Sequence, residues 1–209
     1  MVSMNTIDAI HKRRAVKHYD PTHTISEDTI RLLMEAAVHS PTSFNMQNWR
    51  FVLVRDKTLR EQIQAAAYNQ AQVTDASLLV VMTADLNAWA KSPHRYWRDA
   101  PHDVAKALVP MMGPFYEGHK QLQRDEAMRS CGIAGQTLML AAKAIGYDSC
   151  PMIGFDSDRV GELIHLPEDH VIAFMIVIGK AAKPAWPKPG QLPLDEVVVH
   201  DRFTKGGAT

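Results

Sequence analysis

Two unbroken apolar runs, residues 77–83 (SLLVVMT) and 171–178 (VIAFMIVI), constrain this chain more than any other feature. Runs of this length, without polar alternation and rich in β-branched side chains, read as buried strands. Both fall far short of the roughly 20 residues that cross a bilayer. Strands of this kind need apolar cover, and the composition supplies it. The chain has 209 residues, 46% apolar and 22% charged, the profile and size of one ordinary globular domain with or without an extension.

The helices that provide the cover are marked by their ends. Asn5 or Thr6 can cap a first helix carrying Ile7 and Ile10 on one face and ending in Lys12-Arg13-Arg14. Residues 15–19 then look extended, with a turn at Asp20-Pro21. Ser26 caps a second helix, with Glu27 and Asp28 at the positive end of its dipole. Ile30, Leu33, Met34 and Ala37 recur at the spacing of a core-facing stripe, and Pro41 stops it. Residues 50–54 (RFVLV) predict a strand and 56–67 a helix. Residues 84–124 are aromatic and irregular. Residues 126–145 form a long apolar helix with Gly146 as its C-cap, and a short helix starts at Asp156. Few strands and several helices make the expected class α+β.

Beyond Gly179 the composition changes. Residues 180–194 hold Pro184, Pro187, Pro189 and Pro193, which forbid helix and impose an extended path. Residues 195–200 (DEVVVH) then look like a strand. An arm with so little core of its own is expected to lie on a partner subunit, within a single domain spanning 1–209 whose residues 180–209 form the arm.

Other chemistries fare poorly. Lys plus Arg, 23, equals Asp plus Glu, 23, so the net basic field of a nucleic-acid binder is missing. Cys131 and Cys150 form no CxxC pair, which fits a reducing compartment. With no secretory pattern at the N-terminus, the location expected is cytoplasmic. Ten histidines include no HExxH and no Cys/His pair at ligand spacing, so no metal is expected. There is no GxSxG, and Gly132 and Gly135 lie inside the long helix rather than in a GxGxxG after a strand.

Five segments carry polar chemistry, each with a plain alternative. In an extended RRAVK, Arg13, Ala15 and Lys17 share a face that suits a phosphate, or the cluster is a solvated helix end. The segment SPTSFNMQNW (40–49) offers hydroxyls, amides and backbone N–H groups to a heteroaromatic ligand, or it caps a loop. YNQAQ (68–72) is a set of amides at a helix end. DSCPMIGF (148–155) exposes backbone to a flat ring, or simply turns the chain. Lys183 and Lys188 are solvated unless the arm folds back.

Taken in order, RRAVK, SPTSFNMQNWRF, YNQAQ before DASLLVV, Gly-Tyr-Asp into PMIGF, and a Lys/Pro arm resemble the nitroreductase family of flavoenzymes. The likeness spans most of the chain except roughly residues 84–124. The family fold it implies is an interlocked homodimer of α+β subunits around a small, mostly antiparallel sheet, with FMN at the interface. On this resemblance Arg13 is similar to the FMN-phosphate arginine, with Arg14 and Ala15 along the phosphate and ribityl chain and Lys17 beside the pyrimidine edge. Pro41, Thr42, Ser43 and Asn45 resemble the segment that the opposite subunit contributes. Asn69 and Gln72 resemble polar positions on the isoalloxazine. Pro151, Met152, Ile153 and Gly154 resemble the segment along the ring, and Lys188 the C-terminal cation at the phosphate. Ala15 replaces the usual serine, Asn48 the usual proline, and Gln191 stands near a second cation that is missing.

The activity implied is hydride transfer from NAD(P)H to a nitroaromatic, quinone or similar electron-poor small molecule. Turnover is ping-pong, with no obligatory catalytic side chain. Lys17 would favour the negative charge that reduction places near the flavin N1 and C2 carbonyl. Two other classes stay open: an FMN-binding storage or regulatory protein without efficient turnover, and an interaction protein without flavin. Trp89, Tyr96, Trp97, Phe115 and Tyr116 either cover the ring or pack a core.

Overall fold

Leu78–Asp85 is buried at every position, because helices cover both faces of the sheet to which it belongs. The computed structural model describes residues 4–203; the outermost residues of the expected domain and arm, 1–3 and 204–209, lie outside the described residues. In chain order the elements are α1 (Thr6–Lys12), α2 (Glu27–Val38), β1 (Trp49–Val54), α3 (Lys57–Ala66), α4 (Gln72–Asp75), β2 (Leu78–Asp85), α5 (His102–Leu108), α6 (Met112–Tyr116), α7 (Lys120–Ala144), β3 (Asp148–Met152), α8 (Ser157–Leu163), β4 (His170–Gly179) and α9 (Leu194–Val197).

The four strands form one antiparallel sheet in the order β1-β2-β4-β3. Register sorts the side chains. Leu78, Val80, Met82, Ile176 and Ile178 face a core with Leu33 and Ala37 of α2 and Ala134 and Leu138 of α7. Leu79, Val81, Met175 and Val177 face the opposite core, with Ile63 of α3 and Val160 of α8. A strand with two apolar neighbours, one on each face, has no reason to alternate. A bulge between Met82 and Thr83 interrupts the β2–β4 ladder.

Most helix ends follow their caps. The side chains of Asn5, Ser26, Asp56 and Asp156 accept from backbone N–H groups of Asp8, Thr29, Leu59 and Arg159. At the end of α7, Gly146 takes φ +84°. Its N–H donates to Lys143 O and that of Tyr147 to Ala142 O, the Schellman arrangement.

Some expectations are corrected. Residues 148–152 are a strand, β3, not a turn, because β4 offers them a ladder. Residues 195–200 are not a strand: Leu194–Val197 is a short helix, since no neighbouring strand pairs with these β-branched residues. Helix α7 begins at Lys120, six residues before the apolar pattern starts. The region 84–124 is not irregular throughout, for it contains α5 and α6. Residues 15–19 are extended but join the sheet only through isolated bridges, Ala15 to Ser149 and Tyr19 to Ala181. Finally, α1 turns Ala9 inward and leaves Ile7 and Ile10 exposed.

Two contacts hold the ends of the central ladder. A Cβ on Gly179 would lie 2.9 Å from the Tyr19 ring and 3.0 Å from the Ser77 backbone nitrogen. Backbone cannot yield as a side-chain tip can, so Gly179→Ala should cost about 1–3 kcal/mol, read as a lower denaturation midpoint with an unchanged m value; an unaltered midpoint contradicts the close approach. At the other end, Lys91 Nζ bonds Asp85 at 2.8 Å and Asp169 at 2.5 Å. The bonds from Lys91 and then from His170 hold the Asp169 carboxyl down at about 2, below its ordinary 3.8. A depressed folded-state value contributes stability above pH 4 that is lost as pH falls towards 2. Asp169→Asn should therefore lower the Tm at pH 7, with the gap to the parent protein closing in acid; a gap independent of pH refutes the pairing.

Candidate functional site

The chain leaves α1 at Arg13 in extended conformation, and the Val16 N–H donates to Ser149 O of β3 at 3.1 Å. Val16 is buried in the sheet core. Alternation then turns Arg13, Ala15 and Lys17 the other way. They line a cleft of about 740 Å³ together with Arg14, Pro151 and Lys188.

The Pro-rich arm closes this cleft by folding back along its own chain. The Ala182 N–H donates to His18 O, the Arg14 guanidinium donates to Trp186 O, and Lys188 Nζ donates to His11 O at 3.1 Å. Four cations thus meet in one place. Among the described residues no acidic side chain lines the cleft, and none of the four cations forms an ion pair. A concentration of positive charge without counter-charge, in a chain of zero formal charge, suits a dianionic phosphate. Lys17 and Arg13 also stand near Cys150: burial pushes its thiol up, and these two cations oppose that shift.

Pro151, Ile153 and Gly154 are exposed beside the cleft, with Ile153 at 83%. The Met152 side chain points into the core instead. The amide turn at 68–72 lies against this segment through Gln70. Its Nε2 donates to Gly154 O at 2.8 Å and to Ala67 O at 3.1 Å, while Gln72 Nε2 donates to Gln70 Oε1. Gln72 is buried and Asn69 exposed. Tyr68 and Asn69 both take positive φ, 54° and 56°, and Asn69 N–H donates to Gln64 O. Arg60 fixes the far side by donating to the carbonyls of Val73 and Ala76.

Pro41, Thr42, Ser43 and Asn45 are not brought to this cleft in the same chain. Their loop is strained, with positive φ at Phe44, Asn45 and Gln47, a backbone that costs about 1–3 kcal/mol per residue. Side chains hold it: Asn45 Nδ2 donates to Tyr96 O at 2.7 Å, Tyr116 OH to Ser43 Oγ at 2.8 Å, and the Gln47 N–H to Thr42 Oγ1 at 3.0 Å. Of the aromatics between 84 and 124, Tyr96 and Tyr116 sit in a small core with Met46 and Met112, against which Trp89 and Trp97 pack.

The sequence reading included Gln70 among the amides of 68–72 without giving it a role, and it missed Gln136 of α7 and Trp186. The last two line the cationic cleft, but a helix-surface glutamine and an arm tryptophan carry no local signal. Among the described residues one cluster has metal-ligand residue types: ligand atoms of Asp85, Asp169 and His170 lie within 4.8 Å of one another. The Lys91 ammonium already bridges the two carboxylates. No helix among the described residues is long and apolar enough to cross a membrane.

Comparison with known proteins shows what the chain is similar to. A family model described as the nitroreductase family matches residues 10–180. Protein DrgA of Synechocystis sp. is 54% identical over 200 residues, spanning 93% of this chain and 95% of its own. A Thermus thermophilus protein named NADH dehydrogenase is 32% identical over 203 residues, spanning 90% and 92%. A crystal structure from Exiguobacterium sibiricum, determined in complex with FMN, superimposes with a TM-score of 0.89 at 26% identity. It covers 96% of this chain and 99% of that one.

Proposed function

The chain belongs to the nitroreductase family of oxidoreductases, and from that premise we propose that it binds FMN, takes hydride from NAD(P)H and reduces nitroaromatics, quinones or similar electron-poor molecules by ping-pong turnover. The observation that carries this reading is the meeting of Arg13, Arg14, Lys17 and Lys188 in one cleft beside the exposed Pro151, Ile153 and Gly154. The residues present fit the cofactor. Guanidinium and ammonium groups without carboxylate partners suit its phosphate, and the exposed Pro151, Ile153 and Gly154 beside them suit a flat ring.

When bound, FMN supplies a hydride-accepting ring nitrogen, so no protein nucleophile is needed. Arg13 and Lys188 would hold the phosphate, with Arg14 and Ala15 beside it. Lys17 would supply a fixed positive charge that stabilises the negative charge the ring gains on reduction. Gln70 positions Gly154 and, with it, the turn carrying Asn69 and Gln72.

The same reading makes the protein a homodimer of single-domain subunits. Pro41, Thr42, Ser43 and Asn45 then serve the partner's flavin, which accounts for their distance from the cationic cleft of their own chain. Leu192, Leu194, Val197 and Phe203 of the arm and Ile7 and Ile10 of α1 are exposed apolar side chains that a second subunit covers.

The visible spectrum of the purified protein, with steady-state NAD(P)H oxidation by menadione or a nitrofuran, tests the whole reading. Yellow protein that turns over supports it, and colourless protein that takes up no FMN ends it. Arg13→Ala should weaken FMN retention by about 10- to 100-fold, the worth of one charged hydrogen bond, measured as flavin remaining after dialysis; full retention removes the phosphate role. Lys17→Ala, loaded with FMN, should be reduced by NAD(P)H roughly tenfold more slowly or worse in stopped flow, and unchanged reduction discards its electrostatic role.

A further inference from the structure

A second cleft, of about 780 Å³, opens beside the strained loop that carries Asn45. Its wall holds three arginines, Arg50, Arg95 and Arg98, with Asp99 as the one acidic residue. Arg50 is held by the carbonyls of Gln47 and Trp49, to which it donates at 2.9 and 2.8 Å, but the charges of Arg95 and Arg98 are poorly compensated. Arg95 has no carboxylate partner among the described residues; it donates to Tyr96 OH at 2.7 Å and lies over the Tyr96 ring. Arg98 pairs only with Asp99, and both side chains are largely exposed, so that pair contributes little. Arg50 reaches Asp85 at 3.7 Å, a carboxylate that Lys91 already binds at 2.8 Å. The indole N–H groups of Trp49 and Trp97 are buried without a hydrogen-bond partner and are closed to a ligand in the cleft.

A wall this rich in donors, with one acid among its lining groups, selects an acceptor. Guanidinium forks match the paired oxygens of phosphate and carboxylate groups. We infer that this cleft is a binding site for an oxyanion carried by one of the reactants, either the diphosphate of the nicotinamide donor or a carboxylate on the electron acceptor. The identity of that reactant rests on the hydride-transfer reading above; the existence of the site does not. Asn45 belongs both to the cleft and to the segment assigned to the flavin, so an anion held by Arg95 and Arg98 would be anchored beside the redox site.

Calorimetric titration of the full chain, as purified, tests the site with ADP-ribose as the donor probe and para-nitrobenzoate as the acceptor probe. Binding of one probe should weaken with salt. It should fall on the order of tenfold in Arg98→Ala and in Arg95→Gln, while remaining in Lys57→Ala, which removes an exposed cation of α3 that lines neither cleft. Loss with ADP-ribose assigns the site to the donor, and loss with para-nitrobenzoate assigns it to the acceptor. Failure of both probes to bind, or affinities unchanged in the folded Arg95 and Arg98 variants, overturns the inference. The two readings fail separately: colourless protein that still binds a probe through Arg95 removes the flavin function alone, and active yellow protein that binds neither removes only this site.

Discussion

The antiparallel pairing of β2 with β4 is the constraint on which the rest of the structure depends. These strands are remote in sequence, and each is apolar on both sides, so they are stable only as the centre of a layered body. With α2 and α7 on one face and α3 and α8 on the other, neither face of this ladder is left for a ligand. Binding chemistry is pushed to the rims, where loops and chain ends cross the sheet margins.

The rim beside β3 shows how an edge becomes a site. An open strand edge invites further pairing. Here β3 meets residues 15–16, which approach from the N-terminal side and bridge at Ser149. The same extended segment pairs at Tyr19 with Ala181 just beyond β4. One run of backbone thus joins α1, β3 and the arm, and it delivers Arg13, Lys17 and Lys188 to a common cleft. Pro151 tolerates this edge because it needs no donor to the ladder. Lys188 and the carbonyl it caps are 177 residues apart, so this concentration of charge is a product of topology alone.

The opposite arrangement governs the loop with Asn45. Three positive φ angles at non-glycine residues are unfavourable locally. The loop persists because Tyr96, Tyr116 and Thr42 hold it through specific hydrogen bonds. Strain maintained in this way marks a segment whose shape serves something beyond its own packing. The arginine-lined cleft beside it has the complementary character, with donors in surplus and few acceptors.

What the sequence alone determined was everything local. Ser26, and Asn5 or Thr6, announced the first two helices because a cap acts within one turn, while Asp56 and Asp156, read as first helical residues, turn out to be the caps. The runs at 77–83 and 171–178 announced the central strands because burial on both faces leaves no alternation to hide them. The order of the polar motifs announced the family. The tertiary structure decided the rest. Residues 148–152 are a strand only because β4 lies beside them, and the β-branched residues 197–199 are not one because no strand does. Ile7 and Ile10 look like core and are exposed, since α1 packs through Ala9. Gln70, Gln136 and Trp186 owe their positions to contacts across long stretches of chain. A ladder or a cleft needs two partners to exist, and a single stretch of residues can describe only one of them.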